Sequence, residues 1–488
     1  MAMRPSRQPR RPRGTGRALP LALAAVSVVA LAPAASADRA DYRPGAPGLG
    51  DPYFPELGNG GYDVRHYGVD AAYDPATDTL RATAVISARA THDLSRFNLD
   101  FYKMNVRSVH VNGKAAEFTR TGERELVITP RKGLRKSSTF RVTVRYDGVP
   151  ETLSGPIVFG LPYGFVHTPD GASVSSEPNG ASTWFPANDH PRDKALFTLK
   201  MSVPKDLKAI GNGHLVKQWT KGDRASFVWH EDSPMAPYLA TVAIGRFNVS
   251  TTTTGKGLPQ LDAVDPDVAA HPDAVATPRH TTRATDELAD YFGRYPFTTT
   301  GSITENNLVP PINIGYALET QSRPIYHRPR AESTVVHEIG HQWFGNSVST
   351  HRWKDIWLNE GWARFVEWYW TERHGGQSAQ VSFQQTYDNP PAPPPGRPAF
   401  WDVVVADPTR DQMFHGAVYS RGGMTLQALR QKIGDEKFFR LARTWVKQKK
   451  YGTATTEEFT SLAEKIAGQD LDQFFRVWLY QPGKPTSW

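Results

Sequence analysis

The chain has no cysteine among its 488 residues. Disulfides are therefore excluded as a source of stability, and so is lipid attachment at a thiol. Beyond residue 37 no apolar run approaches the length of a membrane span, so no later segment reads as a transmembrane helix. Acidic residues are missing from the first 37 positions, where Arg4, Arg7, Arg10, Arg11, Arg13 and Arg17 stand unopposed. Those six arginines carry most of the formal charge of +8; without them 51 basic residues face 49 acidic ones. So even a balance gives nucleic-acid binding little electrostatic support.

The arginines are followed by an apolar run from Ala18 to Leu31 and by Ala35-Ser36-Ala37. That order is the pattern of a secretory leader spanning 1–37, cleaved after Ala37, and it predicts an extracellular protein with no membrane attachment once the leader is gone. Residues 38–60, rich in Pro, Gly and Asp, read as an extended arm. Strand patterns begin after it. Leu80, Ala82, Ala84, Ile86 and Ala88 alternate with more polar neighbours, as do Phe140, Val142, Val144 and Tyr146. A period of two gives each strand one face for a core and one for water. Asn112-Gly113 after Val109-His110-Val111 is a hairpin turn signal. These features predict an antiparallel β domain over 61–250, with a boundary near the Thr/Gly-rich run 250–258.

The second half, 251–488, reads as mainly helical. A helix is expected over 282–292, closed by Gly293, with others over 331–344, 355–374 and 471–480. Thr455-Thr456-Glu457-Glu458 carries a capping-box pattern, and Pro390 to Gly396 a stiff surface loop. The tryptophans at 343, 353, 357, 362, 368 and 370 are expected in the core.

The stretch 335–365 carries the chemistry. His337 and His341 are four apart, so on a helix they stack one turn above the other and reach one metal ion. Glu338 is turned about a third of the way round that helix, where it touches a water on the metal without binding the metal. Glu360 follows His341 by eighteen residues, in Asn359-Glu360-Gly361-Trp362-Ala363. A second helix running back past the first would supply it as third ligand. Two His and one Glu leave a fourth position open, the layout of a catalytic Zn²⁺ site with one ion per chain. Two buried imidazoles and a buried carboxylate without a metal would be costly among Val335, Val336, Ile339, Trp343 and Phe344.

HEIGH, the eighteen-residue gap and NEGWA resemble the gluzincin aminopeptidases of the aminopeptidase N type. The resemblance runs over about 60–485. Glu177 followed by Trp184-Phe185-Pro186-Ala187-Asn188-Asp189-His190-Pro191 and Lys194-Ala195-Leu196-Phe197 is similar to a family segment whose Glu helps hold a substrate amino terminus. Met235 to Gly245 is similar to the end of the family's first domain. Gly315-Tyr316-Ala317-Leu318-Glu319-Thr320 looks like the exopeptidase signature, with Leu318 for Met and Thr320 for Asn. Tyr419-Ser420-Arg421-Gly422 is similar to a Tyr-x-Lys-Gly segment whose phenol hydrogen-bonds the oxyanion. From residues alone, Glu177, Glu319 and Tyr419 read as a loop carboxylate, a strand-end carboxylate and a packing aromatic. The resemblance implies an α+β protein of two domains, the second a thermolysin-like zinc domain. It implies removal of single N-terminal residues from peptides with a free amino terminus. Glu338 would then be general base, Tyr419 oxyanion donor, and Glu319 with Glu177 the amine pocket. A free ammonium is cationic at neutral pH, so two carboxylates one residue from the metal would select it over a blocked chain. A zinc endopeptidase and a non-catalytic, zinc-retaining binding protein are the alternatives. The chain is expected to be a monomer, and to lack the C-terminal helical domain of larger family members.

Overall fold

In a computed structural model, residues 41–308 and 312–487 are described. The leader, its cleavage site and the start of the arm lie outside the described residues.

The alternating segments form strands as their spacing requires. Leu80, Ala82, Ala84, Ile86 and Ala88 are buried, while Arg81 and Arg89 are exposed. The strands Tyr62–Asp74 and Thr79–Ala90 pair in the middle of an eight-stranded sheet. One flank continues through Thr139–Gly148 to Asn105–Val111, which turns at Asn112-Gly113 into Lys114–Ala115. Both turn residues have left-handed backbone (φ 51° and 75°), the conformation that Asn and Gly tolerate best. The other flank runs through Ala195–Pro204, which lies parallel to Tyr62–Asp74, and on to Arg224–Met235 and His214–Lys221. A five-stranded sheet includes Tyr163–His167, Ala172–Ser175 and Val242–Gly245.

The Thr/Gly-rich run at 250–258 folds into a hairpin. Asn248–Thr253 and Pro259–Val264 pair with each other and open a second five-stranded sheet. That sheet continues in parallel through Thr300–Thr304 and Ile325–Tyr326 and ends on the antiparallel edge strand Ala317–Leu318. The edge strand delivers the next residue, Glu319, to the helices.

Those helices are α1 (Pro272–Phe292), α2 (Glu332–His341), α3 (Trp357–Arg373), α4 (Ala379–Asp388), α5 (Gly416–Ile433), α6 (Asp435–Lys449), α7 (Thr456–Ala467) and α8 (Asp472–Phe475). Four differ from their expected bounds. α1 starts ten residues early, because Pro272 suits a first helical position and the His271 ring accepts from Asp273 N–H; Pro278 is absorbed inside it. α2 stops at His341, where the chain tightens through Gln342 and Trp343 toward Gly345, whose φ of 132° few side chains tolerate. α3 begins at Trp357 after a separate single turn, Trp353–Asp355. The segment after Asp470 is one α turn followed by a π turn, Arg476–Tyr480, whose carbonyls are drawn onto Arg421. The capping box at Thr455 and Glu458 is present. Of the six tryptophans, all but the partly buried Trp368 are buried.

The arm has little regular structure but is pinned. Asp51 accepts from the N–H groups of Tyr53 and Trp353 and pairs with His190 (3.0 Å), so one carboxylate joins the arm to both halves.

Candidate active site

Helix α2 presents His337 and His341 one turn apart, their ring centroids separated by 4.7 Å. Gly340 lets α3 approach: a Cβ there would lie 3.2 Å from Val366. The approach brings in Glu360, whose Oε2 is 3.4 Å from Nε2 of both histidines. The other ring nitrogens are occupied. His337 Nδ1 meets Glu367 Oε1 at 2.5 Å, and His341 Nδ1 meets the Phe344 carbonyl at 3.1 Å. With Nδ1–H donating in each ring, the Nε2 lone pairs face Glu360. Glu360 Oε2 is buried and has no hydrogen-bond partner. Two lone pairs and an orphaned carboxylate oxygen, all within 4.8 Å of one another, fit a tetrahedral N/O-ligated ion such as zinc.

Glu338 and Glu319 share the same space, each with a carboxylate oxygen within 4.8 Å of His341. Glu319 is buried, accepts from the Tyr238 hydroxyl (3.3 Å), and has its carbonyl held by Gln342 and Asn346 of the turn after α2. Lys194, in the Lys-Ala-Leu-Phe segment, donates to the carbonyls of Asn346 (2.7 Å) and Ser347 (3.0 Å), locking that turn. Tyr419 on α5 stacks over His337, centroids 6.1 Å apart. α5 comes this close because Gly361 and Gly422 leave no side chain between the helices.

Glu177 enters from the β half. Two residues earlier, Ser175 Oγ meets His327 Nε2 (2.8 Å), and His327 Nδ1 meets Glu305 Oε2 (2.9 Å). All three are buried, so this Ser–His–Glu chain braces the loop rather than meeting a substrate. Glu177 itself faces a cavity of about 110 Å³ shared with Leu318 and Tyr419, and its Oε1 has no partner.

The electrostatics are those of crowded anions. Burial pushes Glu177 well above the ordinary carboxylate range, and Glu319, Glu360 and Glu338 push it further. Burial also raises Glu319, with Glu360 adding to it against the pull of His341. Glu338 is pushed up to about 7 by burial, against the pull of the two imidazoles. Burial acts to raise Glu360 too, but His341 and His337 outweigh it and hold it down to about 2. Burial disfavours a charged His337, yet Glu360 and Glu367 bring it up to about 10, so an ion would compete with a proton for its Nε2 lone pair. A site that collects this much negative charge is built for cations.

Two family models match the chain. One for the Peptidase M1 N-terminal domain covers residues 64–239, and one for the Peptidase family M1 domain covers 312–478. The chain belongs to peptidase family M1. As an M1 protein it is 28% identical over 336 residues to glutamyl aminopeptidase of Bos taurus, a match covering 64% of this chain. The match spans 34% of that relative, about a third of its length. An M1 zinc metallopeptidase from Deinococcus radiodurans superposes with a TM-score of 0.79 at 26% identity, covering 90% of this chain and 98% of that one. A mutant form of the M1 zinc metallopeptidase from the same organism, bound to a Tyr-Ser-Ala substrate, gives 0.79 at 25% identity over the same shares. The fold is thus the two-domain M1 fold, a mainly β half followed by a helical one, with zinc as the family's ion.

Of the seven residues singled out in the sequence, His337, Glu338, His341, Glu360 and Glu319 group together, Tyr419 stacks on His337, and Glu177 shares a cavity with Tyr419. Two substitutions against the family pattern have structural uses. Thr320 spends its hydroxyl on the Arg323 carbonyl (2.6 Å). Arg421 is buried and donates to the carbonyls of Trp478, Val477 and Gln481. Four contributors went unread: Glu367, Tyr238, Gln342 and Asn346. Glu367 had a signal, since it lies seven residues after Glu360 and so on the same face of α3.

Proposed function

We propose that this M1 protein is a zinc aminopeptidase that removes single residues from the free amino terminus of peptides. The observation that carries the reading is the placement of Glu319 within 4.8 Å of Glu338 and His341, so that an ammonium-binding carboxylate and the metal ligands border the same space. His337, His341 and Glu360 would hold the zinc. Bound there, the ion would supply Lewis acidity at the scissile carbonyl and lower the pKa of the attacking water. Glu338 takes the proton of that water and returns it to the leaving amine. The Tyr419 hydroxyl donates to the oxygen on which charge develops; loss of one such donor costs about 3 kcal/mol, a hundredfold or more in rate. Glu319 and Glu177 neutralise the substrate ammonium, which buried alone would be strongly disfavoured. The leader pattern at 1–37 supports export, and no helix among the described residues is long and apolar enough to cross a membrane.

Zinc-loaded protein assayed on aminoacyl reporters, free and N-acetylated, tests the reading. Hydrolysis of the free reporters alone is expected, abolished by chelator and by Glu338→Gln. Faster cleavage of the acetylated forms would make the protein an endopeptidase.

A further inference from the structure

The cavity that Glu177 faces has walls of one character. Val158, Phe159, Leu161, Leu318 and Phe414 line this half-open pocket, with Tyr316 and Ala317 beside them. They come from three distant segments: the single turn Pro156–Val158 and the residues after it, the edge strand leading to Glu319, and the loop before α5. No Lys, Arg or His is among the described residues that line it. Its volume of about 110 Å³ compares with about 30 Å³ for one water, room for several heavy atoms of a side chain.

The wall is held in place. Phe159 has left-handed backbone (φ 58°), a conformation a bulky residue adopts only when its surroundings enforce it. Arg397, just past the proline-rich loop, lies over the Phe159 ring at 4.9 Å and donates to the carbonyls of Pro156 and Asp411. It therefore ties the Phe159 turn to the segment that carries Phe414.

The cavity adjoins Glu177, Tyr419 and Leu318, the residue before Glu319, so it is the space open to the side chain of an amino acid whose ammonium those two carboxylates hold. We propose, building on the aminopeptidase reading, that the enzyme selects N-terminal residues with apolar side chains of leucine, methionine or phenylalanine size and rejects acidic ones. Arg397 acts as a positioning residue for that selection. Methylenes entering the pocket gain the transfer energy of apolar burial. A substrate carboxylate there would lose its water, find no cationic side chain among the described residues that line the pocket, and stand beside Glu177.

The test is kcat/KM for Leu, Phe, Ala, Glu and Arg reporters on the zinc-loaded protein, with thermal shifts by free L-leucine and L-glutamate as a second readout. Leu and Phe should exceed Ala by at least about tenfold and Glu by more, and leucine should stabilise the protein more than glutamate. Phe159→Lys, at an exposed position (43%), should raise the Glu-to-Leu ratio at least about tenfold by giving the pocket a cation. Arg397→Met should lower the Leu-to-Ala ratio while zinc content stays the same, which a merely structural role would not do. Hydrolysis in which Glu or Arg equals Leu, or an unchanged ratio in Phe159→Lys, overturns the pocket assignment alone. Failure to hydrolyse any free reporter overturns the aminopeptidase reading and this preference with it.

Discussion

Gly361 of α3 and Gly422 of α5 meet backbone to backbone, and a Cβ on Gly361 would come within 3.0 Å of the Gly422 Cα. Glu360 precedes the first glycine and Tyr419 lies one turn before the second, so this contact sets the phenol against His337 and the candidate metal ligands. Gly422→Ala would wedge the helices apart, at a cost of about 1–3 kcal/mol. The expected result is a fall in kcat with unchanged zinc content; unchanged kcat would show that Tyr419 does not depend on this crossing.

Glu367 holds the His337 ring through Nδ1 and is itself held by Arg364 at 2.6 Å. Glu367→Gln keeps the size but removes the charge that makes Nε2 basic. Zinc affinity, measured by competition with a chromogenic chelator, should drop about 10–100-fold. Equal affinity would mean that the ring is oriented by packing alone.

His327→Leu would leave Ser175 and Glu305 without their ring partner in the interior, a loss of about 1–3 kcal/mol. Because Ser175 lies two residues before Glu177, KM for free-amine reporters should rise more than kcat falls. A variant with lowered melting temperature and unaltered KM would confine the network to stability.

Asp193 sits buried in the β half, accepting from the Val64 N–H at 3.1 Å and from Asn188. Burial pushes its pKa up to about 8, with Asp63 adding to the shift. The folded chain therefore keeps a proton that the unfolded chain releases near its ordinary value of 3.8. The stability contribution is complete below about pH 4 and is lost as pH rises toward 8. Urea midpoints of the parent minus those of Asp193→Asn should decline across that window and level off above it; a flat difference would mean that Asp193 is ionised throughout.

The grouping of His337, His341 and Glu360 was legible because its geometry is local. Four residues make one helical turn, and Glu360 needed only a second helix nearby. Glu319 and Tyr419 were legible through resemblance, since nothing in their spacing says that an edge strand and a helix converge on α2. Their supports were not legible at all. Tyr238, Gln342 and Asn346 reach Glu319 across long sequence separations, and the apolar cavity is assembled from three segments that share no pattern. The start of α1 was hidden by Pro278, which reads as a breaker yet is tolerated where His271 and Pro272 begin the helix upstream.

Asp51 grips backbone from the arm and from Trp353 with one side chain, and Tyr53 hydrogen-bonds Asp407 two residues on. Neither half can loosen without breaking these staples, so heating this cysteine-free molecule should give a single calorimetric peak rather than two.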